Sequence, residues 1–163
     1  MTDDWLETKP KPEAKLRPVY ETKQNQSREW EAISRFGQRY SRRPVKLPKF
    51  YHVDYAMMEL DTPKITSWVE VKCRKNKRDA YPTLILSVHK VLSGLQLAKA
   101  TNMAFVLYVE WTDYAGHVLL DDTSMLHVSI GGRYDRNDPQ DVEPVFEIPV
   151  AKFNCHQLTK NDK

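Results

Sequence analysis

Residues Met103 to Trp111 read Met-Ala-Phe-Val-Leu-Tyr-Val-Glu-Trp, and up to Val109 almost every side chain is apolar. A strand sends alternate side chains to opposite faces. A strand that is apolar on both faces must be covered on both, so this segment predicts a central strand of a layered sheet. The run is too short to cross a bilayer, which takes about 20 apolar residues. No longer apolar run exists, so no membrane-spanning segment is expected. The start, Met1-Thr2-Asp3-Asp4, lacks the basic and then apolar order of a secretory leader. Cys73 and Cys155 form neither a disulfide framework nor a zinc spacing. Reduced thiols and a cytoplasmic location are the expectation.

Around the central strand the pattern predicts an α/β order. Trp30, Ile33, Gly37 and Tyr40 recur at helical spacing over 26–41, with Asn25 or Ser27 as cap and Pro44 beyond the end. Alternation from Phe50 to Leu60 predicts a strand. Asp61-Thr62-Pro63-Lys64 is a turn signal, and Ile65 to Arg74 is a second strand. Thr83–Leu86 reads as a short strand, and a helix follows from Val88 to an Asn102 terminus. After the central strand come strand-like runs at His117–Leu120, Met125–Ile130 and Val145–Ile148. The expected organisation is a flexible arm over 1–24, a core over 25–120 and a C-terminal β extension over 121–163. The 163 residues suit one domain. Trp30, Trp68 and Trp111 are expected in the core.

Net charge is +3, but it is unevenly distributed. Residues 1–50 hold 12 Lys/Arg against 7 Asp/Glu, residues 51–110 hold 8 against 6, and residues 111–163 hold 5 against 9. A basic front and acidic tail suggest a polyanionic partner for one face. Lys72, Arg74, Lys75, Lys77 and Arg78 are five cations in seven residues. They would grip phosphates as a strand runs out into a loop. Arg39, Arg42, Arg43, Lys46 and Lys49 form a weaker second run.

The chemistry concentrates in Trp68-Val69-Glu70-Val71-Lys72. On a strand Glu70 and Lys72 share one face, roughly 6–7 Å apart, while Val69, Val71 and Cys73 face the core. If the preceding strand pairs as a hairpin, Asp54 reaches the same polar face. Two carboxylates beside an ammonium suit Mg²⁺, a hard cation that takes one or two carboxylates and keeps waters. The Val71 carbonyl could add an oxygen, and Lys72 would orient or deprotonate the attacking water or offset charge at phosphorus. On a helical wheel with Trp30 at 0°, Glu29 falls at about 260°, near the inward arc, and Glu31 at about 100°, toward solvent. Glu29 therefore joins the candidates. His52 shares the parity of Asp54 and could touch substrate. His89, His117, His127 and His156 show no metal-ligand spacing.

An inward helical Glu, an Asp after an apolar strand, Glu-x-Lys on the next strand, then a helix and a strand: this order resembles the PD-(D/E)XK nuclease superfamily. The resemblance runs over Glu29, Asp54, Glu70-Val71-Lys72, the helix with Lys90 and Gln96, and Met103–Trp111, roughly residues 25–120. It departs from the family pattern in having Val53, not proline, before Asp54. It implies an α/β restriction-endonuclease-like fold, a mixed central sheet flanked by helices with additional C-terminal strands here. It also implies Mg²⁺-dependent DNA phosphodiester hydrolysis with Mn²⁺ as substitute, most like small phage-type or Holliday-junction-resolvase-like endonucleases. The implied roles are Asp54, Glu70 and Val71 for metal, Lys72 with the water, and Glu29 as outer partner. One of Lys90 and Gln96 would stand at the metal's edge, and both join Arg74, Lys75, Lys77 and Arg78 in holding nucleic acid. Such enzymes often pair as homodimers. The competing readings are a non-catalytic DNA-binding module on the same fold, an RNA-processing nuclease, and an interaction protein whose Glu-x-Lys is accidental.

Overall fold

The computed structural model describes residues 22–124, 126–134, 138 and 141–159. The expected arm over 1–24 lies outside the described residues as far as 21, and its last two residues are already helical. Helix α1 (Lys23–Arg39) is capped by Thr22, whose hydroxyl accepts from the Asn25 N–H at 3.2 Å. That places the cap upstream of both Asn25 and Ser27. The helix ends in a tight reversal in which the Arg42 N–H donates to the Gly37 carbonyl at 2.8 Å. A Cβ on Gly37 would lie 2.6 Å from the Arg42 carbonyl oxygen, so only glycine permits this reversal.

The reversal feeds β1 (Arg43–Lys46), a short strand that the polar sequence around it had not announced. It pairs antiparallel with β2 (Tyr55–Met58). The strand expected from Phe50 thus begins only at Tyr55. Lys49–Tyr51 form a 3-10 turn and His52 takes a left-handed conformation with φ 58°, which no strand accommodates. Strand β3 (Ile65–Cys73) closes the expected hairpin with β2. After β4 (Thr83–Ser87), helix α2 (Val88–Thr101) ends on left-handed Asn102, as expected. The chain then returns as β5 (Ala104–Glu110), parallel to β3. Such a parallel pair requires a crossover, here β4 and α2. Strands β6 (Tyr114–Leu119) and β9 (Asn154–Gln157) complete a six-stranded mixed sheet of order β1-β2-β3-β5-β6-β9. Strand β9 is a second addition to the expected strands. Strands β7 (His127–Gly132) and β8 (Val142–Pro149) join β4 in a separate three-stranded sheet, order β4-β8-β7.

The central sheet is covered on both faces. On one, Ala32, Ile33 and Phe36 of α1 pack on Tyr55, Met57, Val69, Val71 and Tyr108. Phe36 stacks on Tyr108 with ring centroids 4.6 Å apart. On the other, α2 and the small sheet cover Trp68, Phe105, Leu107 and Val109. Strand β5 is therefore buried on both sides, as its composition demanded. A Cβ on Gly94 would fall 2.3 Å from the Phe105 ring, so glycine lets α2 lie directly on β5. Trp68 and Trp111 are buried, but Trp30 is 49% exposed, lying beside Tyr55 at the edge of α1 rather than in the core. Tyr40, on the same expected stripe, is also exposed. Among the described residues no helix is long and apolar enough to cross a membrane.

Candidate active site

Asp54 sits immediately before β2, where its N–H donates to the Val69 carbonyl at 3.2 Å. Its carboxylate then takes the place of the next strand residue: Oδ2 accepts from the Val71 N–H at 3.0 Å. A strand residue points its N–H and carbonyl to the same edge, so the Val71 carbonyl faces the same gap where β2 has ended. The short β2 is what leaves this gap open.

Glu70 is 0% exposed. The face that carries Trp68 and Glu70 is covered by α2, whose Thr101 accepts from the Trp68 indole and whose Lys90 reaches Glu70. Two ammonium groups reach its Oε1, those of Lys72 and Lys90, the latter at 2.5 Å. Lys90 also stands 3.4 Å from Asp54 Oδ1 and so bridges the two carboxylates. Glu70 Oε2 is buried and has no hydrogen-bond partner among the described residues. A buried carboxylate oxygen without a donor is costly.

Burial pushes the Asp54 carboxyl up, but Lys72, Lys90 and the Val71 N–H outweigh it, and the net shift is down. For Glu70 burial dominates and its carboxyl is raised, despite Lys72 and Lys90. Burial pulls the Lys90 ammonium down, yet Glu70 and Asp54 more than compensate and hold it charged. Two like carboxyls are thus driven apart, a pattern common where sites do chemistry.

These residues fit a divalent cation. Among the described residues no three His, Cys, Asp or Glu side chains converge. Mg²⁺ needs no more than one or two carboxylates, and the unpartnered Glu70 Oε2, Asp54 and the Val71 carbonyl supply hard oxygens at one gap. Glu29 lines the same cavity, as its place on the helical wheel predicts, but its carboxylate is held by Lys46 at 2.6 Å. Glu31 is exposed, also as expected.

Asp54, Val71, Lys72 and Lys90 line a cavity of about 760 Å³ with a rim of basic residues, and Glu70, fully buried, is not part of its lining. Arg74 and Lys75 line it, whereas Lys77 lies exposed beyond. Arg78 turns away: its Nε donates to Cys155 Sγ at 3.2 Å and its guanidinium lies over Tyr114. Gln96 is exposed further along α2 and lines no part of this cavity, so Lys90 alone of that pair meets the carboxylates. His52 and His89 pack edge to face, 4.6 Å between centroids, beside Lys72 and Lys90. Arg28 and Arg133 also line the main cavity and were not singled out from sequence. Arg28 falls at about 160° on the same wheel, outside the inward arc, so helical spacing did not mark it; it reaches the cavity because its guanidinium donates to the Arg74 carbonyl at 2.8 Å. Arg133 stands in a polar stretch with no periodicity to mark it.

Comparison with solved structures finds the same fold in a protein titled as Archaeoglobus fulgidus Hjc, a Holliday junction resolvase from an archaeal hyperthermophile. The TM-score is 0.51 at 14% identity, covering 83% of this chain and 93% of that one. The mixed sheet flanked by helices is therefore a restriction-endonuclease-like fold. No curated protein matches the chain. A family model described as "Phage putative PDDEXK endonuclease" matches residues 15–156, nearly the whole chain and every element built above save the last residue of β9. The chain belongs to this phage PDDEXK endonuclease family.

Proposed function

We propose that the protein hydrolyses DNA phosphodiesters at the Asp54–Glu70 gap with a bound divalent cation, Mg²⁺ or Mn²⁺ in its place. The observation that carries this reading is the buried, unpartnered Oε2 of Glu70 beside an ionised Asp54. Asp54, Glu70 and the Val71 carbonyl would hold the cation, which when bound makes a water acidic and offsets charge on the phosphoryl oxygens.

The chain's own groups do the rest. Lys72, on the strand face shared with Glu70, donates to the attacking water or to a non-bridging oxygen of the phosphate. Lys90 bridges the two carboxylates. Its flexible stem would let it give up their oxygens to a cation and offer its charge to the phosphate instead. Arg74 and Lys75, with Arg28 and Arg133 on the lining of the same cavity, bind flanking phosphates and fix the backbone's direction. Lys77 extends that track over the surface. Glu29, tied to Lys46, braces the α1 side of the cavity.

The test is cleavage of labelled single-stranded, duplex and four-way-junction DNA by the full chain with Mg²⁺ or Mn²⁺. Wild type is expected to cut at least one, and Asp54→Asn, Glu70→Gln and Lys72→Ala to lose cutting. Cleavage by Glu70→Gln at the wild-type rate would overturn the assignment, as would a wild type that cuts none of the panel.

A further inference from the structure

Next to the carboxylate cavity lies a second one of about 350 Å³, and the two share Arg74 and Asn76 as a common wall. Its character is different. Trp111, Leu84 and Val150 are buried at its base, and Tyr81 and Ile85 stand exposed at its mouth. Tyr81 is 66% exposed, a large ring left against solvent.

The walls are fixed. The Val150 N–H donates to the Pro82 carbonyl at 2.9 Å, tying the segment before β4 to the end of β8. Arg78 is oriented by Cys155 and Tyr114, and its main-chain N–H donates to Asp113 at 2.9 Å. Arg74 donates to the Ile85 carbonyl at 3.4 Å. Yet among the described residues neither the Arg74 nor the Arg78 guanidinium ion-pairs with a carboxylate.

A preformed apolar slot with an exposed aromatic lip, an amide and two unneutralised guanidinium groups suits a ligand that joins a flat ring to negative charge. A nucleotide is such a ligand. The shared wall sets this cavity directly beside the one lined by Asp54. We propose that this cavity takes one unstacked nucleobase of the DNA strand bound at Asp54 and Glu70, with Tyr81 and Ile85 against the ring and Arg74 and Arg78 on its phosphates. The inference rests on the nucleic-acid reading of the neighbouring site. It adds a substrate class: DNA with an unpaired nucleotide beside the bound phosphate. A fully paired duplex would first have to unstack a base to fill the cavity.

The experiment is fluorescence anisotropy of the full chain in EDTA with three labelled DNAs: a fully paired duplex, the same duplex with a single-stranded tail, and that duplex with an abasic tail. Wild type is expected to bind the base-bearing tail about tenfold more tightly than the abasic one, within the range of a single base–aromatic stack. Tyr81→Ala and Ile85→Ser, both at the exposed mouth, are each expected to bring that ratio close to one. An abasic tail that binds wild type equally well shows that only phosphates are read and overturns the proposal. So does a ratio that survives both substitutions. Because metal is chelated and cleavage is not read, loss of the preference leaves the metal-site reading standing, and a wild type that never cuts can still show it.

Discussion

Glu70 and Glu110 are two buried acids on neighbouring parallel strands, and the sheet gives them opposite surroundings. Glu110, 4% exposed, faces α1. Arg35 grips both its oxygens, at 3.0 and 2.7 Å, and the Tyr108 hydroxyl donates to Oε1 at 2.9 Å. Glu70 faces α2, with both lysines on a single oxygen and the other oxygen without a donor. An acid with both oxygens hydrogen-bonded holds a structure together. An acid buried with one oxygen unpartnered beside a second carboxylate is set for something absent from the protein chain. The lysines differ from Arg35 in kind as well. An ammonium on a flexible stem can leave its partner, whereas a bidentate guanidinium is committed to it.

The largest effect expected from this contrast is on cleavage. Glu70→Gln should lower the rate about a thousandfold, the upper range for removing one charge-stabilising group, while thermal melting stays near wild type. Glu110→Ala should do the reverse. It strands Arg35 and the Tyr108 hydroxyl at about 3 kcal/mol of stability, read as a lowered denaturation midpoint. If the two variants behave alike, the distinction between the acids is lost.

Lys90→Met sharpens the same comparison at the next scale. Removing the ammonium that occupies the oxygens of Asp54 and Glu70 should tighten Mn²⁺ binding about tenfold, or 1.4 kcal/mol, by calorimetric titration. Weaker binding would mean that Lys90 supports the bound state instead.

The smallest effect concerns Cys73, on the Glu110 side of β3. Burial, and then Glu110, push its thiol up from 9.0 to about 11. A folded-state pKa raised in this way contributes stability that is complete below the ordinary value and lost as pH rises through about 11. Alkylation of Cys73 should therefore be slow at pH 8 and accelerate toward pH 11. Glu110→Ala should move that rise to lower pH. A reaction at pH 8 as fast as that of an exposed thiol would contradict the assignment.

The same two strands mark what could be read from sequence and what could not. Alternation in Ile65–Cys73 put Glu70 and Lys72 on one face, and the double-sided apolar run made β5 central. Both are local patterns, and the structure keeps both. The burial of Glu70 is not local: it depends on α2 crossing over β3, and nothing in Glu-x-Lys announces a roof. The strand before Asp54 reads as continuous because Tyr51, Val53, Tyr55 and Met57 alternate. The left-handed His52 breaks it, which is how Asp54 comes to cap Val71 instead of pairing within a strand. Strands β1 and β9 are short, polar edge segments that borrow their order from β2 and β6, so neither carries a period of its own. Trp30 looked like core from its identity, but α1 turns it to the rim beside Tyr55. Lys90 and Gln96 could not be separated by residue type, since only the position of α2 on the sheet decides which one reaches the carboxylates.

The central claim is that Asp54 and Glu70 form a cation site held shut by lysine. Calorimetric titration of the full chain with Mn²⁺, wild type against Glu70→Gln, tests it most directly. One bound ion per chain in the wild type, lost in the variant while its melting transition is retained, is the predicted result. Equal binding by both proteins, or none by the wild type, would contradict it.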